Sequence, residues 1–250
     1  MPRIAIIVPC YNEARRLKLE AFRRYFGGHD NGVAFLFVND GSGDDTADVL
    51  RSFAAELPDR IEILDLQPNR GKAEAVRLGF LQAFQRDPDL VGFWDADLAA
   101  PLSEIDPFLE IFSSIPGVET VFGSRVKLMG HAIERHAARH YIGRISATAI
   151  SMTLGLAVYD TQCGAKLFRN TEKLREVFAD PFVTRWIFDV EIIARLIRAS
   201  SLEHVQETLY ELPLREWRDV AGSKVKPYDF IRSASDLWRI HRTYLRDGKD

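Results

Sequence analysis

The first part of the chain alternates short, nearly unbroken apolar runs with stretches in which apolar residues recur every three or four positions. The runs are Ile4–Val8, Val33–Val38, Ile61–Leu66 and Leu90–Trp94. Successive rather than alternate residues are apolar in each, the pattern of strands covered on both faces. Between them, Ala14–Tyr25, Asp44–Leu57 and Gly71–Gln85 carry helical spacing, with Ser42 or Asp44 placed to cap the second. This alternation predicts an α/β fold: a doubly wound, mainly parallel sheet with helices on both faces. Ligands of such sheets bind at the carboxyl ends of the strands, so chemistry is expected in the residues that follow each run.

The second half is less regular. Thr120–Gly123 reads as a strand leading into Ser124-Arg125, and another strand is expected to run into Phe168. Phe188–Arg198 has the spacing of an amphipathic helix, His204–Leu214 reads as a strand, and Arg215–Lys226 as a mobile loop around Ala221-Gly222-Ser223. From Pro227 the tail is helical and mixes Trp238, Arg239, Arg242, Tyr244 and Arg246. No repeat or linker interrupts the chain. The expected organisation is one domain over 1–226, with a basic and aromatic helix over 227–250 packed on it or extending from it.

Composition narrows the classes. A hydrophobic fraction of 46% supports a sizeable core, and a net charge of −3 gives no reason to expect a nucleic-acid partner. Cys10 and Cys163 form no disulfide framework or metal-spaced pair, so reduced, cytoplasmic thiols are expected. No stretch reaches the roughly 18 apolar residues that a membrane span requires. The longest candidate, Ile145–Val158, carries Ser146, Thr148, Ser151 and Thr153 and reads as a buried or interfacial helix. The first strand is not followed by Gly-x-Gly-x-x-Gly, Gly71-Lys72 lacks the rest of a P-loop, and no Gly-x-Ser-x-Gly elbow occurs.

Four polar segments follow the first four strands: Pro9-Cys10-Tyr11-Asn12-Glu13, Asn39-Asp40-Gly41-Ser42-Gly43-Asp44, Gln67-Pro68-Asn69-Arg70-Gly71-Lys72 and Asp95-Ala96-Asp97. Asp95 and Asp97 are the sharpest signal. Residues i and i+2 of a strand share a side, and two hard carboxylates there suit Mg²⁺ or Mn²⁺, which completes its shell with phosphates and water. Such a metal neutralises a diphosphate leaving group. Tyr11 and Glu13 offer an aromatic face and a carboxylate to a nucleotide base. Asp40 is placed for base or ribose, and Lys72 for phosphate at a helix start. Each also has a plain structural reading, as turn or helix-end residues.

These segments together resemble the family 2 glycosyltransferases of the GT-A fold. The likeness sharpens through Asn69-Arg70-Gly71-Lys72, Gly123-Ser124-Arg125, Asp160-Thr161-Gln162-Cys163-Gly164-Ala165-Lys166-Leu167-Phe168, Arg185-Trp186-Ile187-Phe188-Asp189-Val190-Glu191 and Gly222-Ser223-Lys224. This set is similar to the dolichyl-phosphate β-glucosyltransferase branch, near the polyprenyl-phosphate mannosyltransferases. The resemblance implies a single GT-A domain and an inverting transfer from UDP-glucose, or a related donor such as GDP-mannose, to a polyprenyl phosphate. It implies Pro9, Tyr11, Asn12, Glu13, Asp40, Lys72 and Asp95 on the donor, and Asp95 and Asp97 on the metal. Arg125 would meet a phosphate near the acceptor, with Asp160, Gln162, Lys166 and Asp189 around the transfer site. Ala99 stands where the mannosyl enzymes often carry Gln, which favours UDP-glucose. Phe182 stands where processive synthases carry the Gln of Gln-x-x-Arg-Trp, which argues against polymerisation.

A lipid phosphate is already an anion, so it needs positioning and charge cover, from Arg125 with Arg139 or Arg144, more than a base. A sugar-hydroxyl acceptor would need one, with Asp160, Asp189 and Glu191 as candidates. The basic run Arg125–Arg144, followed by the apolar stretch from Ile145, suits a membrane surface, so the protein is expected in the cytoplasm or on the inner face of the membrane. His136 and His140 lack a third metal ligand and read as part of that basic surface. A non-catalytic nucleotide-sugar-binding module is the alternative of another class.

Overall fold

The computed structural model describes residues 3–28, 31–134, 137–219 and 227–246. In chain order the strands are β1 (Ile4–Cys10), β2 (Val33–Asp40), β3 (Ile61–Leu66), β4 (Leu90–Trp94), β5 (Thr120–Ser124), β6 (Ala132–Glu134), β7 (Ala165–Arg169), β8 (Leu209–Pro213) and β9 (Glu216–Arg218). The helices are α1 (Leu19–Gly28), α2 (Thr46–Glu56), α3 (Lys72–Phe84), α4 (Ile105–Ser114), α5 (Ala137–Leu154), α6 (Glu172–Ala179), α7 (Phe188–Ala199), α8 (Leu202–Thr208) and α9 (Pro227–Ile240).

Seven strands form one sheet in the order β3-β2-β1-β4-β7-β5-β8, and β6 pairs with β9 beside it. The β1–β2, β1–β4, β2–β3 and β5–β8 ladders are parallel, whereas β7 runs antiparallel to both β4 and β5. The expected mainly parallel sheet is thus observed, with one reversed strand, β7, between β4 and β5. Successive residues of a strand enter opposite cores. Ile6, Val8, Phe35 and Phe37 pack with Phe22 and Phe53 on one face, while Ile7, Leu36 and Val38 pack with Phe80, Val76 and Phe178 on the other. Burial on both faces is why these strands carry continuous rather than alternating apolar runs.

Three boundaries differ from the sequence expectation. Helix α1 starts at Leu19 rather than Ala14, because the Glu13 carbonyl accepts from the Arg16 and Leu17 amides and closes a separate turn. His204–Leu214 is not one strand. Ser201 Oγ accepts from the His204 amide and caps α8, and the chain extends only from Leu209. Arg215–Lys226 begins not as a loop but as β9, where Glu104 Oε1 accepts from the Arg215 and Glu216 amides. Val220–Lys226, with the Ala221-Gly222-Ser223-Lys224 segment, lie outside the described residues.

The apolar stretch from Ile145 forms most of α5, which buries Ile150 and Leu154 and exposes Ile145 and Met152. Among the described residues no helix is long and apolar enough to cross a membrane. Ile240, the last residue of α9, is buried. In the π-helical turn that follows, the Tyr244 hydroxyl donates to Glu191 Oε1, so the tail packs on α7.

Candidate active site

Strand directions decide which residues meet. β1, β2, β4 and β5 end at one edge of the sheet, and the reversed β7 begins there. One edge therefore collects Tyr11–Glu13, Asp40, Asp95, Asp97 and Arg125 together with the Asp160–Gly164 segment. Reversal of β7 is what carries the second-half motif to the first-half carboxylates.

The turns after β1 and β2 support each other. Asn12 has φ +54°, its amide donates to Ser42 Oγ, and its Oδ1 accepts from the Gly43 amide. Thr46 Oγ1 accepts from the Glu13 and Ala14 amides. Pro9 lies inside β1, and Tyr11 is exposed at the edge. Asp40 is buried. Its Oδ1 accepts from the Arg70 amide, and its Oδ2 from the Gly71 amide and Asn69 Nδ2, at 2.7–2.9 Å. In this structure the Asp40 carboxylate pins the loop that carries Lys72. At Gly41, with φ +61°, a Cβ would come within 2.5 Å of the Asn69 nitrogen, so that turn requires glycine.

Asp95 and Asp97 leave β4 half-buried. The Asp95 amide donates to the Gly164 carbonyl, and the Ala99 amide donates to Asp97 Oδ1 at 2.9 Å. Gly164 has no side chain, and a Cβ there would overlap the Asp95 carboxylate. Lys72 Nζ lies 2.6 Å from Asp95 Oδ1. Burial alone would lower the lysine's pKa, but Asp95, Asp189 and Asp97 outweigh it and hold the ammonium above its usual range. Burial, and then the Asp95 charge, raises the Asp97 carboxyl above the usual aspartate range. A carboxylate whose proton affinity is raised by burial and by a neighbouring negative charge is one that a divalent cation relieves.

On the other side of the edge, Arg125 makes a bidentate pair with Asp160: Nε to Oδ2 at 2.6 Å and Nη2 to Oδ1 at 2.7 Å. Its guanidinium also lies over Trp217. Burial opposes that charge, but Asp160 outweighs it and the arginine's pKa is raised. The amides of Tyr159 and Asp160 donate to Glu211, which fixes the segment from behind. Gln162 Nε2, Ser124 Oγ and Arg144 Nη1 are buried without hydrogen-bond partners. Polar atoms left so around one ion pair mark a place where a ligand is expected to complete them. Arg144 also stacks on Tyr159, 3.9 Å from the ring centroid.

Lys166 and Asp189 sit deeper. Lys166 is fully buried on β7, with Nζ 2.7 Å from Asp189 Oδ1, donating to the Cys163 carbonyl and lying over the rings of Phe93 and Phe122. This ammonium supports the edge from within. Cys163 is buried too, and burial pushes its thiol up to about 12, so the group stays protonated.

Glu191, expected as a candidate base, takes a structural position instead. It is fully buried and accepts from the Val183 and Thr184 amides, the Thr184 hydroxyl, the Arg195 guanidinium and Tyr244. The Arg195 guanidinium further donates to the carbonyls of Val177, Asp180 and Pro181. The i, i+4 spacing of Glu191 and Arg195 on the apolar side of α7 was the available signal for a buried pair. Trp217, Glu104 and Glu211 gave none, since their partners are remote in sequence. The side chains of Arg135, His136, Arg139 and His140 lie outside the described residues.

Residues 5–176 match the model of glycosyl transferase family 2. A dolichyl-phosphate β-glucosyltransferase of Trichomonas vaginalis is 33% identical to the chain, over 97% of the chain and 71% of that protein. The enzyme of the same name from Drosophila melanogaster is 31% identical, over 97% and 75%. Among solved structures, mannosyl-3-phosphoglycerate synthase of Rubrobacter xylanophilus superposes with a TM-score of 0.69 at 18% identity, over 98% of this chain and 74% of that one. Glucosyl-3-phosphoglycerate synthase of Mycobacterium tuberculosis, in complex with Mn²⁺, UDP and glucosyl-3-phosphoglycerate, gives 0.65 at 18% identity, over 96% and 80%. At that identity the structural likeness shows the fold, which is the GT-A fold expected from the sequence. Family match, relatives and fold agree: the chain belongs to glycosyl transferase family 2, in the branch of the dolichyl-phosphate β-glucosyltransferases.

Proposed function

We infer that this protein is a metal-dependent glycosyltransferase that moves a hexose, with UDP-glucose the favoured donor, onto the phosphate of a polyprenyl lipid with inversion at the sugar carbon. One observation of the site carries the choice of acceptor. The acids that could serve a hydroxyl acceptor as a base are engaged: Asp160 by Arg125, Asp189 by Lys166, and Glu191 by Arg195 and backbone amides. A carboxylate whose oxygens are spent on a cation and on backbone amides is not free to take a proton from an acceptor hydroxyl. A phosphate acceptor needs none, because its nucleophilic oxygen is already ionised.

The donor set fits a divalent metal. Asp95 and Asp97 are hard oxygen ligands, and two such ligands suit a cation that shares its shell with a diphosphate. When bound, the metal would supply charge neutralisation at the departing diphosphate. The protein's own groups do the rest. Lys72 stands beside Asp95 as a second cation for phosphate oxygens. The Ala99 amide, not a side chain at that position, orients Asp97. Tyr11 offers an exposed aromatic face at the same edge to the nucleotide, with Asn12 and Glu13 holding the turn beneath it. Ala99 keeps UDP-glucose ahead of GDP-mannose. Exposed Ile145 and Met152 on α5 favour a cytoplasmic protein that rests on the inner face of the membrane where its acceptor lies.

Transfer of labelled glucose from UDP-glucose to undecaprenyl phosphate, with Mg²⁺ or Mn²⁺, tests this directly. Label is expected in the lipid phase, lost in Asp97→Ala, and weaker from GDP-mannose. Release of UDP with no lipid labelled would overturn the acceptor and return the choice to a glycan hydroxyl.

A further inference from the structure

A second feature of the molecule is a groove of about 190 Å³ between the loop before α3 and the loop before α7. Arg70 and Gly71 line one wall, and Phe182, Thr184 and Arg185 the other. The two walls are built alike. Asp40 spends both oxygens on the amides of Arg70 and Gly71. Glu191 spends its oxygens on the amides of Val183 and Thr184, while Arg195 donates to the Asp180 and Pro181 carbonyls. In each wall a buried carboxylate fixes a short loop, and each loop presents an exposed arginine.

Among the described residues Glu74 is the one acid lining the groove, and its charge is already matched. Arg77 pairs with it twice, Nε to Oε2 and Nη2 to Oε1, both at 2.8 Å, and is itself anchored to the Phe178 and Ala179 carbonyls. Arg70 and Arg185 therefore leave a pinned, polar groove with net positive charge. Loops held this firmly are preorganised, so an anion placed between the arginines costs little ordering. Two guanidinium forks facing one space match the oxygens of a phosphate.

We propose that this groove is a phosphate subsite distinct from the Asp95–Asp97 site, and that its occupant is the phosphomonoester of the acceptor. The identity of the occupant rests on the function inferred above, whereas the anion site rests on the groove alone. It begins at Gly71, next in the chain to Lys72, whose ammonium lies on Asp95. That continuity places an acceptor phosphate beside the donor end of the cleft.

Farnesyl phosphate is the probe, with Arg70→Gln, Arg185→Gln and the double variant. Both side chains are exposed, so thermal unfolding is expected to match wild type. Calorimetric titration of UDP-loaded protein is expected to show farnesyl phosphate binding about tenfold weaker in each single variant, with UDP affinity within about twofold. In transfer assays KM for farnesyl phosphate should rise by a similar factor, with Arg→Lys variants intermediate. Farnesyl phosphate binding that ignores both substitutions, or a loss of UDP affinity in their place, would overturn the proposal. If wild type binds farnesyl phosphate through these arginines but transfers no glucose to it, the anion site stands and the polyprenyl acceptor falls. If transfer is robust and its KM is unmoved in the double variant, the reverse holds.

Discussion

The site contains two lysine–aspartate pairs of nearly equal length: Lys72 with Asp95 at 2.6 Å, and Lys166 with Asp189 at 2.7 Å. Their surroundings differ. The first pair is 44% and 32% exposed at the cleft edge, whereas the second is 0% and 9% exposed beneath it. Contact distance therefore says little about what either pair does. A pair that lies partly open at the cleft edge is held less tightly than one sealed in the core, so Lys72 can exchange Asp95 for phosphate. A buried pair resists loss of either member, because the remaining charge is stranded without water. One pair is a place where ligands enter, and the other is part of what holds that place.

The largest effect is expected at the buried pair. Lys166→Met removes the buried cation paired with Asp189, and should lower stability by about 3–5 kcal/mol. Adding Asp189→Asn should recover part of that loss, since it removes the stranded charge. Urea unfolding of the two variants measures both. A single variant within about 1 kcal/mol of wild type would mean that water reaches the pair and that the contrast drawn here is wrong.

Two glycines beside the β4–β7 ladder sharpen the same contrast by separating stability from activity. A Cβ at Gly92 would overlap the backbone carbonyl of Lys166, which cannot move without breaking the ladder. A Cβ at Gly164 would overlap the Asp95 carboxylate, the free end of a rotatable side chain. Gly92→Ala is therefore expected to unfold at clearly lower denaturant. Gly164→Ala should keep its stability within about 1 kcal/mol and lose about a hundredfold in kcat/KM, because a displaced ligand is felt in the reaction. Equal losses of stability in the two variants would show that Asp95 cannot yield.

The exposed pair makes a smaller prediction of the opposite sign. Lys72 competes with any cation for Asp95 Oδ1, so Lys72→Ala should tighten Mn²⁺ binding in the absence of donor, by about tenfold, even as it weakens UDP binding. Paramagnetic titration of free Mn²⁺ reads the first effect and calorimetry the second. Weaker Mn²⁺ binding in the variant would mean that Lys72 holds Asp95 in place rather than competing for it.

The same division explains what could be read from the sequence. Asp40, Lys72, Asp95 and Asp97 were legible because each follows an apolar run, and parallel strands bring such positions to one edge. Direction is not encoded in apolar periodicity, so the reversal of β7, which delivers Asp160–Gly164 to that edge, was not. Nor does composition distinguish the strand lysine Lys166, buried against two rings, from a solvated one. Glu191 stood with Asp160 and Asp189 among the candidate bases, yet helical geometry turns it inward to Arg195. The stretch read as strand from His204 is helical as far as Thr208, because Ser201 caps α8 and the apolar pattern does not register a cap.

Glu211 lies between the two extremes and gives the smallest expected effect. Half-buried, it accepts the amides of Tyr159 and Asp160. Burial raises its pKa and the Asp160 charge adds to that, while the two amides and Arg144 offset part of the rise. Over the interval from the ordinary glutamate value up to the raised one, the folded protein holds a proton that the unfolded chain has released. Linkage then makes this group's contribution to stability decline as pH rises through the interval. Glu211→Gln has no such titration. It should be about 1–2 kcal/mol less stable at acid pH, because one amide loses its acceptor, and its deficit should narrow as pH rises above the ordinary glutamate value. Subtracting the two urea-unfolding profiles cancels the titrating groups that do not interact with Glu211. A deficit that widens with pH would mean that the paired amides overcome burial. Glu211 would then belong with the carboxylates that the fold prefers charged.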